Sequence, residues 1–100
     1  MIRYYEFDEH CYYALIAVTV EDGDFATRCY RKATELYVDV VAGESVEEVL
    51  KEAYPHLRTR EYAFMKFISA HEEEDRSVKE LLTQFDEAEN EVLLVDSSLL

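Results

Sequence analysis

A single α+β domain is what this chain predicts: a small three-stranded sheet, made of an N-terminal hairpin and a C-terminal strand, packed with three to four helices. Three observations carry that expectation. Strand-like apolar runs stand at both ends of the chain, and a 3.6-residue apolar period fills its middle. Only 2 Gly and 1 Pro are spread over 100 residues, too few for the many tight turns of an all-β sandwich. A chain of this length holds one core and no second folding unit, so residues 1–100 are read as one domain. Hydrophobic residues at 49% and aromatics at 13% supply enough apolar surface to offset chain entropy despite a charged fraction of 33%.

The elements follow in order. Ile2 to Phe7 and Tyr12 to Val20 are rich in Tyr, Val, Ile and Leu and flank the polar stretch Asp8-Glu9-His10, which reads as a β-hairpin. In the second strand Tyr12, Ala14, Ile16, Val18 and Val20 share one face, and Tyr13, Leu15 and Ala17 the other. Both faces are apolar, as a central strand covered on both sides requires. Glu21-Asp22-Gly23-Asp24 breaks the strand and supplies carboxylates for a helix start. From there Phe25, Ala26, Cys29, Tyr30, Ala33, Leu36, Tyr37, Val40 and Val41 keep the helical period, predicting a helix over about 24–41 with Gly43 at its C-cap. The competing pattern makes Leu36 to Val41 a strand, because Val38, Val40 and Val41 are β-branched.

Ser45-Val46-Glu47-Glu48 matches a capping box, in which hydroxyl and carboxylate satisfy each other's free backbone N–H groups. It opens a short helix that ends at Tyr54, before Pro55. Thr59 caps a third helix with Tyr62, Ala63, Phe64, Phe67, Ile68 and His71 on its apolar side. Val78, Leu81, Leu82, Phe85 and Ala88 mark a fourth over about 76–89, either separate from the third or continuous with it through His71 to Asp75. Asn90 closes it. Val92 to Val95 is then a short buried strand that must return beside the hairpin, since a lone strand needs a ladder partner. Either helices cover both sheet faces, or the protein is a homodimer held by aromatics of an open sheet face or by the apolar chain end Leu99-Leu100.

The longest nearly apolar run, Tyr12 to Val20, is nine residues, whereas a membrane span needs about 20. Met1-Ile2-Arg3-Tyr4 lacks the pattern of a secretory signal. Cys11 and Cys29 are too few for a disulfide framework. A cytoplasmic setting follows.

The sequence offers little for catalysis. Two isolated glycines cannot cradle a phosphate, and neither G-x-S-x-G nor H-E-x-x-H occurs. His71, Glu74 and Asp75 have helical metal-ligand spacing but no second His and no Cys nearby, so a solvated surface is the expected role and no metal or cofactor is assigned. Cys29, flanked by Arg28, Arg31 and Lys32, has neighbours that would activate a thiol, yet it lies on the apolar stripe and reads as core. Cys11 beside His10 points to the opposite strand face, and Asp22-Gly23-Asp24 lacks the later calcium ligands. Tyr4-Tyr5 and Tyr12-Tyr13 are read as cross-strand packing rather than as an aromatic binding platform.

Charge is the strong signal. The chain carries 10 Lys and Arg against 23 Asp and Glu, a net charge of −13, which disfavours direct binding to nucleic acid or anionic membranes. Residues 71–100 hold ten carboxylates against Arg76 and Lys79. Basic spots occur at Arg28, Arg31 and Lys32 and at Arg58, Arg60 and Lys66. Duplex DNA carries one charge per ~1.7 Å, so this charge equals about 22 Å of duplex, comparable with twice the ~13 Å radius of gyration expected for the domain. The expectation is a non-catalytic nucleic-acid mimic, the type of inhibitor a phage or mobile element carries against a restriction or CRISPR nuclease. Its partner is the basic surface of a nucleic-acid-binding protein, met by Glu72, Glu73, Glu74, Asp75, Glu80, Asp86, Glu87 and Glu89. The alternative is a small accessory or structural subunit, acting by homodimerisation or complex assembly, whose acidity serves solubility only.

Overall fold

In a computed structural model, which describes residues 1–10, 12–21, 23, 25–40, 45–72 and 75–95, the elements run β1 (Ile2–Phe7), β2 (Ala14–Thr19), α1 (Ala26–Val40), α2 (Val46–Glu52), β3 (His56–Arg58), α3 (Arg60–Ala70), α4 (Val78–Glu87) and β4 (Glu91–Val95). The fold is α+β. The hairpin forms as its apolar runs require, from Ile2 opposite Thr19 to Phe7 opposite Ala14, and β4 returns antiparallel to β2. One correction is needed: the sheet has four strands, not three, in the order β3-β1-β2-β4, all pairs antiparallel. His56-Leu57-Arg58 has neither β-branched residues nor length to mark it. It is a strand because the edge of β1 offers a ladder, with Arg58 opposite Tyr4 and His56 opposite Glu6.

Helices cover both faces of the sheet. On one side Tyr5, Phe7, Ile16 and Val18 pack with Cys29, Ala33 and Tyr37 of α1 and Val49 of α2. On the other, Tyr4, Leu15 and Ala17 pack with Ala63 and Phe67 of α3 and with Leu81 and Phe85 of α4. The alternation along β2 is the one read from its sequence, and Ala14 to Val18 are at most 1% exposed. Tyr4 stacks on Phe85 with ring centroids 5.0 Å apart, and Phe7 stacks on Tyr37 at 4.2 Å. The sheet needs no second copy to hide either face. β4 serves both layers through a bulge: Leu15 pairs with Leu94 and Ile16 with Val92, leaving Leu93 as the extra residue. Val92 thus joins the first layer while Leu93 and Leu94 both join the second.

The helices show why their boundaries fall where they do. α1 continues to Val40 because Leu36, Tyr37 and Val38 all reach the first core, and the Tyr37 hydroxyl donates to Tyr12 O at 2.7 Å. A strand over those residues would turn half of them away from that core. Ser45, Thr59 and Ser77 each accept from the backbone N–H three residues on, the N-cap arrangement worth about 1 kcal/mol apiece. The third and fourth helices are separate: α3 closes at His71, whose N–H bonds Ile68 O, and α4 opens on Ser77. Asn90 stands at φ 49° and its Oδ1 accepts from the Thr19 N–H at 2.8 Å, tying the start of β4 to the end of β2. Gly43, Cys11, Asp22, Asp24 and the terminal Leu99-Leu100, each singled out in the sequence, lie outside the described residues. Among the described residues no helix is long and apolar enough to cross a membrane.

Candidate functional site

The carboxylates singled out by sequence do not behave alike. Glu72 and Asp75, between α3 and α4, are exposed, as are Glu80 and Glu87 on α4 and Glu89 after it. None of these five is in an ion pair among the described residues. Leu81 and Phe85 hold α4 on the sheet, so Glu80 and Glu87, seven residues apart, share its outer side at a separation of about 10.5 Å along the axis. Asp86 departs from this group because Arg60 neutralises it in an exposed ion pair. Glu73 and Glu74 lie outside the described residues.

Several of the cationic side chains are committed to partners within the chain. Arg31 pairs with Glu47 at 2.9 Å and with Glu35 one turn away, Arg60 with Asp86, and Arg58 with Glu6. Lys66 lies over the Tyr62 ring. The radius of gyration, 13.4 Å, matches the size assumed in comparing the charge with DNA. That surplus of carboxylate is carried on a compact body.

A second constellation, invisible in the sequence, gathers where β1 meets β3. Residues facing each other in an antiparallel pair share a sheet face, so Glu6, His56 and Arg58 project together toward the α3 side, with Asp8 two residues beyond Glu6. Glu6 is only 1% exposed, and three donors satisfy it. Arg58 Nε–H donates to Oε1 at 2.8 Å, the Tyr62 hydroxyl to the same oxygen at 2.8 Å, and the Tyr13 hydroxyl to Oε2 at 2.7 Å. Burial pushes the Glu6 carboxyl up, but the hydrogen bonds from Tyr13, Tyr62 and Arg58, with the Arg58 charge, outweigh it and hold the group below the usual carboxylate range. Burial and the bond to Glu6 push the Tyr13 phenol well up. The Arg58 guanidinium also lies 4.7 Å above the Tyr62 ring, fixing its plane. A carboxylate so saturated is an anchor between strands, since a general base needs a free lone pair and a pKa near the working pH.

At the open end of this network, Arg58 also reaches Asp8 Oδ2 at 3.3 Å. The other Asp8 oxygen lies 3.3 Å from His56 Nε2, which stands 3.2 Å from Glu9 Oε2. Asp8, Glu9 and His56 are the described residues whose ligand atoms converge as metal ligands would. The His71 and Asp75 spacing noted in the sequence is not realised, because α3 ends at Ala70 and His71 turns edge-on against Phe67. Cys29 is fully buried in the first core. Tyr4 and Tyr5 are buried in the two cores and Tyr13 is partly buried against the second, whereas Tyr12 is exposed, so three of the four hairpin tyrosines pack. His10 Nε2–H donates to Ala53 O at 2.8 Å, holding the hairpin turn against the end of α2.

The YosH C-terminal domain family matches residues 2–94, which is nearly the whole chain, and the protein belongs to that family. No curated protein and no solved structure gives a significant match.

Proposed function

We propose that this member of the YosH C-terminal domain family is a non-catalytic interaction module of the cytoplasm. Its acidic face occupies a basic, nucleic-acid-binding surface on another protein, such as a restriction or CRISPR nuclease of the kind phages and mobile elements confront, and keeps DNA or RNA out. The observation supporting this is the asymmetry of pairing: three of the arginines, Arg31, Arg58 and Arg60, are tied to carboxylates, while Glu72, Asp75, Glu80, Glu87 and Glu89 face solvent with no ion pair among the described residues. Such a surface steers a cationic partner over long range and releases it as salt screens the attraction. Glu80 and Glu87, fixed on α4, replace phosphates without the ordering cost a flexible acidic tail would incur.

The test is competition. The partner retained from a host lysate at low salt should be displaced by duplex DNA and by high salt, and a variant with Glu72, Glu80, Glu87 and Glu89 all changed to Gln should fold normally and retain little of it. Retention indifferent to DNA and salt would overturn the mimicry. The accessory-subunit alternative is favoured by one observation, that the sheet ends on the three-residue β3, whose Leu57 is half exposed. It predicts complexes that persist in high salt.

A further inference from the structure

The geometry points to a divalent transition-metal site, of zinc type, formed by Asp8, Glu9 and His56. It uses none of the carboxylates assigned to the acidic face. The separations carry the argument. A tetrahedral zinc ion with bonds of about 2.0–2.1 Å sets its donor atoms about 3.3–3.4 Å apart. His56 Nε2 stands 3.3 Å from Asp8 Oδ1 and 3.2 Å from Glu9 Oε2. Both oxygens converge on the one nitrogen, Nε2, as donors around a shared ion do.

The scaffold holds these ligands in place. His56 is fixed on β3 by its pairing with Glu6. Asp8 is oriented by Arg58, which takes Oδ2 and leaves Oδ1 toward the imidazole. Arg58 is itself clamped by Glu6 and the Tyr62 ring. This is the outer layer of support that metal carboxylates and histidines require. Charge agrees as well: Glu6, Asp8 and Glu9 against the single Arg58 leave two net negative carboxylate charges around His56, matching a divalent ion. One nitrogen with two carboxylate oxygens favours zinc or manganese over the all-oxygen preference of calcium and magnesium. The three side chains are 33–57% exposed, which leaves room for water as the fourth ligand and marks an open site rather than a closed structural one.

Protein stripped with chelator should bind one equivalent of zinc in calorimetry. Its melting temperature should rise by about 10 °C or more when free zinc is about 100 times Kd, a roughly 100-fold shift of the folding equilibrium. Cobalt should give the intense visible absorption of a tetrahedral centre. His56→Ala and Asp8→Asn, both at partly exposed positions, should keep the circular dichroism of the parent and weaken zinc binding by at least about 10-fold, whereas His71→Ala should bind as the parent does. Equal zinc affinity in the parent and His56→Ala, or magnesium bound as tightly as zinc, would overturn the assignment.

Discussion

Arg58 Nε–H lies 2.8 Å from Oε1 of Glu6, a residue 52 positions earlier in the chain, and this contact joins the edge strand to the sheet. β3 has only three residues, too few to hold by ladder bonds alone. Its attachment depends on the buried charge it meets, and the Tyr62 and Tyr13 hydroxyls complete the shell that makes that charge tolerable.

Removing Arg58 should therefore cost more than its partial exposure suggests. Arg58→Met leaves Glu6 buried with two neutral donors and no counter-charge, and the expected loss is at the lower end of the ~3–5 kcal/mol typical of breaking a buried ion pair. The double variant Glu6→Leu with Arg58→Met should recover much of it, because no charge is then stranded. Urea denaturation of the two variants beside the parent measures both, and a double variant no more stable than the single one would contradict the account.

Alkaline pH should unfold the protein through its buried tyrosines. Burial pushes the Tyr5 phenol up to about 12, with the Arg3 hydrogen bond acting against it. The folded value lies above the unfolded one near 10, so Tyr5 contributes stability that is complete below about pH 10 and lost as pH rises toward 12. The amount is about 2–3 kcal/mol. Tyr4, Tyr13 and Tyr62 shift in the same direction, so Tyr5→Phe should make the alkaline loss of stability shallower without abolishing it. Phenolate absorbance followed with circular dichroism reads both events. A parent in which all the tyrosines, the buried ones included, ionise near pH 10 while the fold persists would refute the reading.

Assembly follows from coverage. With α1 and α2 on one sheet face and α3 and α4 on the other, neither face of the sheet calls for a second copy among the described residues, and bodies of charge −13 repel. Sedimentation at high micromolar concentration should show a monomer at low and at high salt. A dimer that strengthens with salt would instead support the accessory-subunit alternative.

What the sequence determined by itself is what depends on near neighbours. The alternation of Ala14 to Val18, the apolar period of α1 and the Ser45 and Thr59 caps are local patterns, and each appears in the structure with the boundary that its side chains dictate. Net charge and its C-terminal excess are also plain in composition, because exposed carboxylates need no fold to be counted. Tertiary structure alone decided the rest. β3 exists because β1 has a free edge, not because His-Leu-Arg prefers to be extended. Nothing in the local sequence marks Glu6, and only the return of Arg58 and Tyr62 across more than fifty residues makes it a buried anchor. The same pairing sets His56 beside Asp8 and Glu9, whereas the metal spacing legible in sequence, His71 with Asp75, fails where α3 ends. Periodicity reports which side of an element faces the core. Which polar groups meet across the sheet is settled by register, and register belongs to the assembled fold.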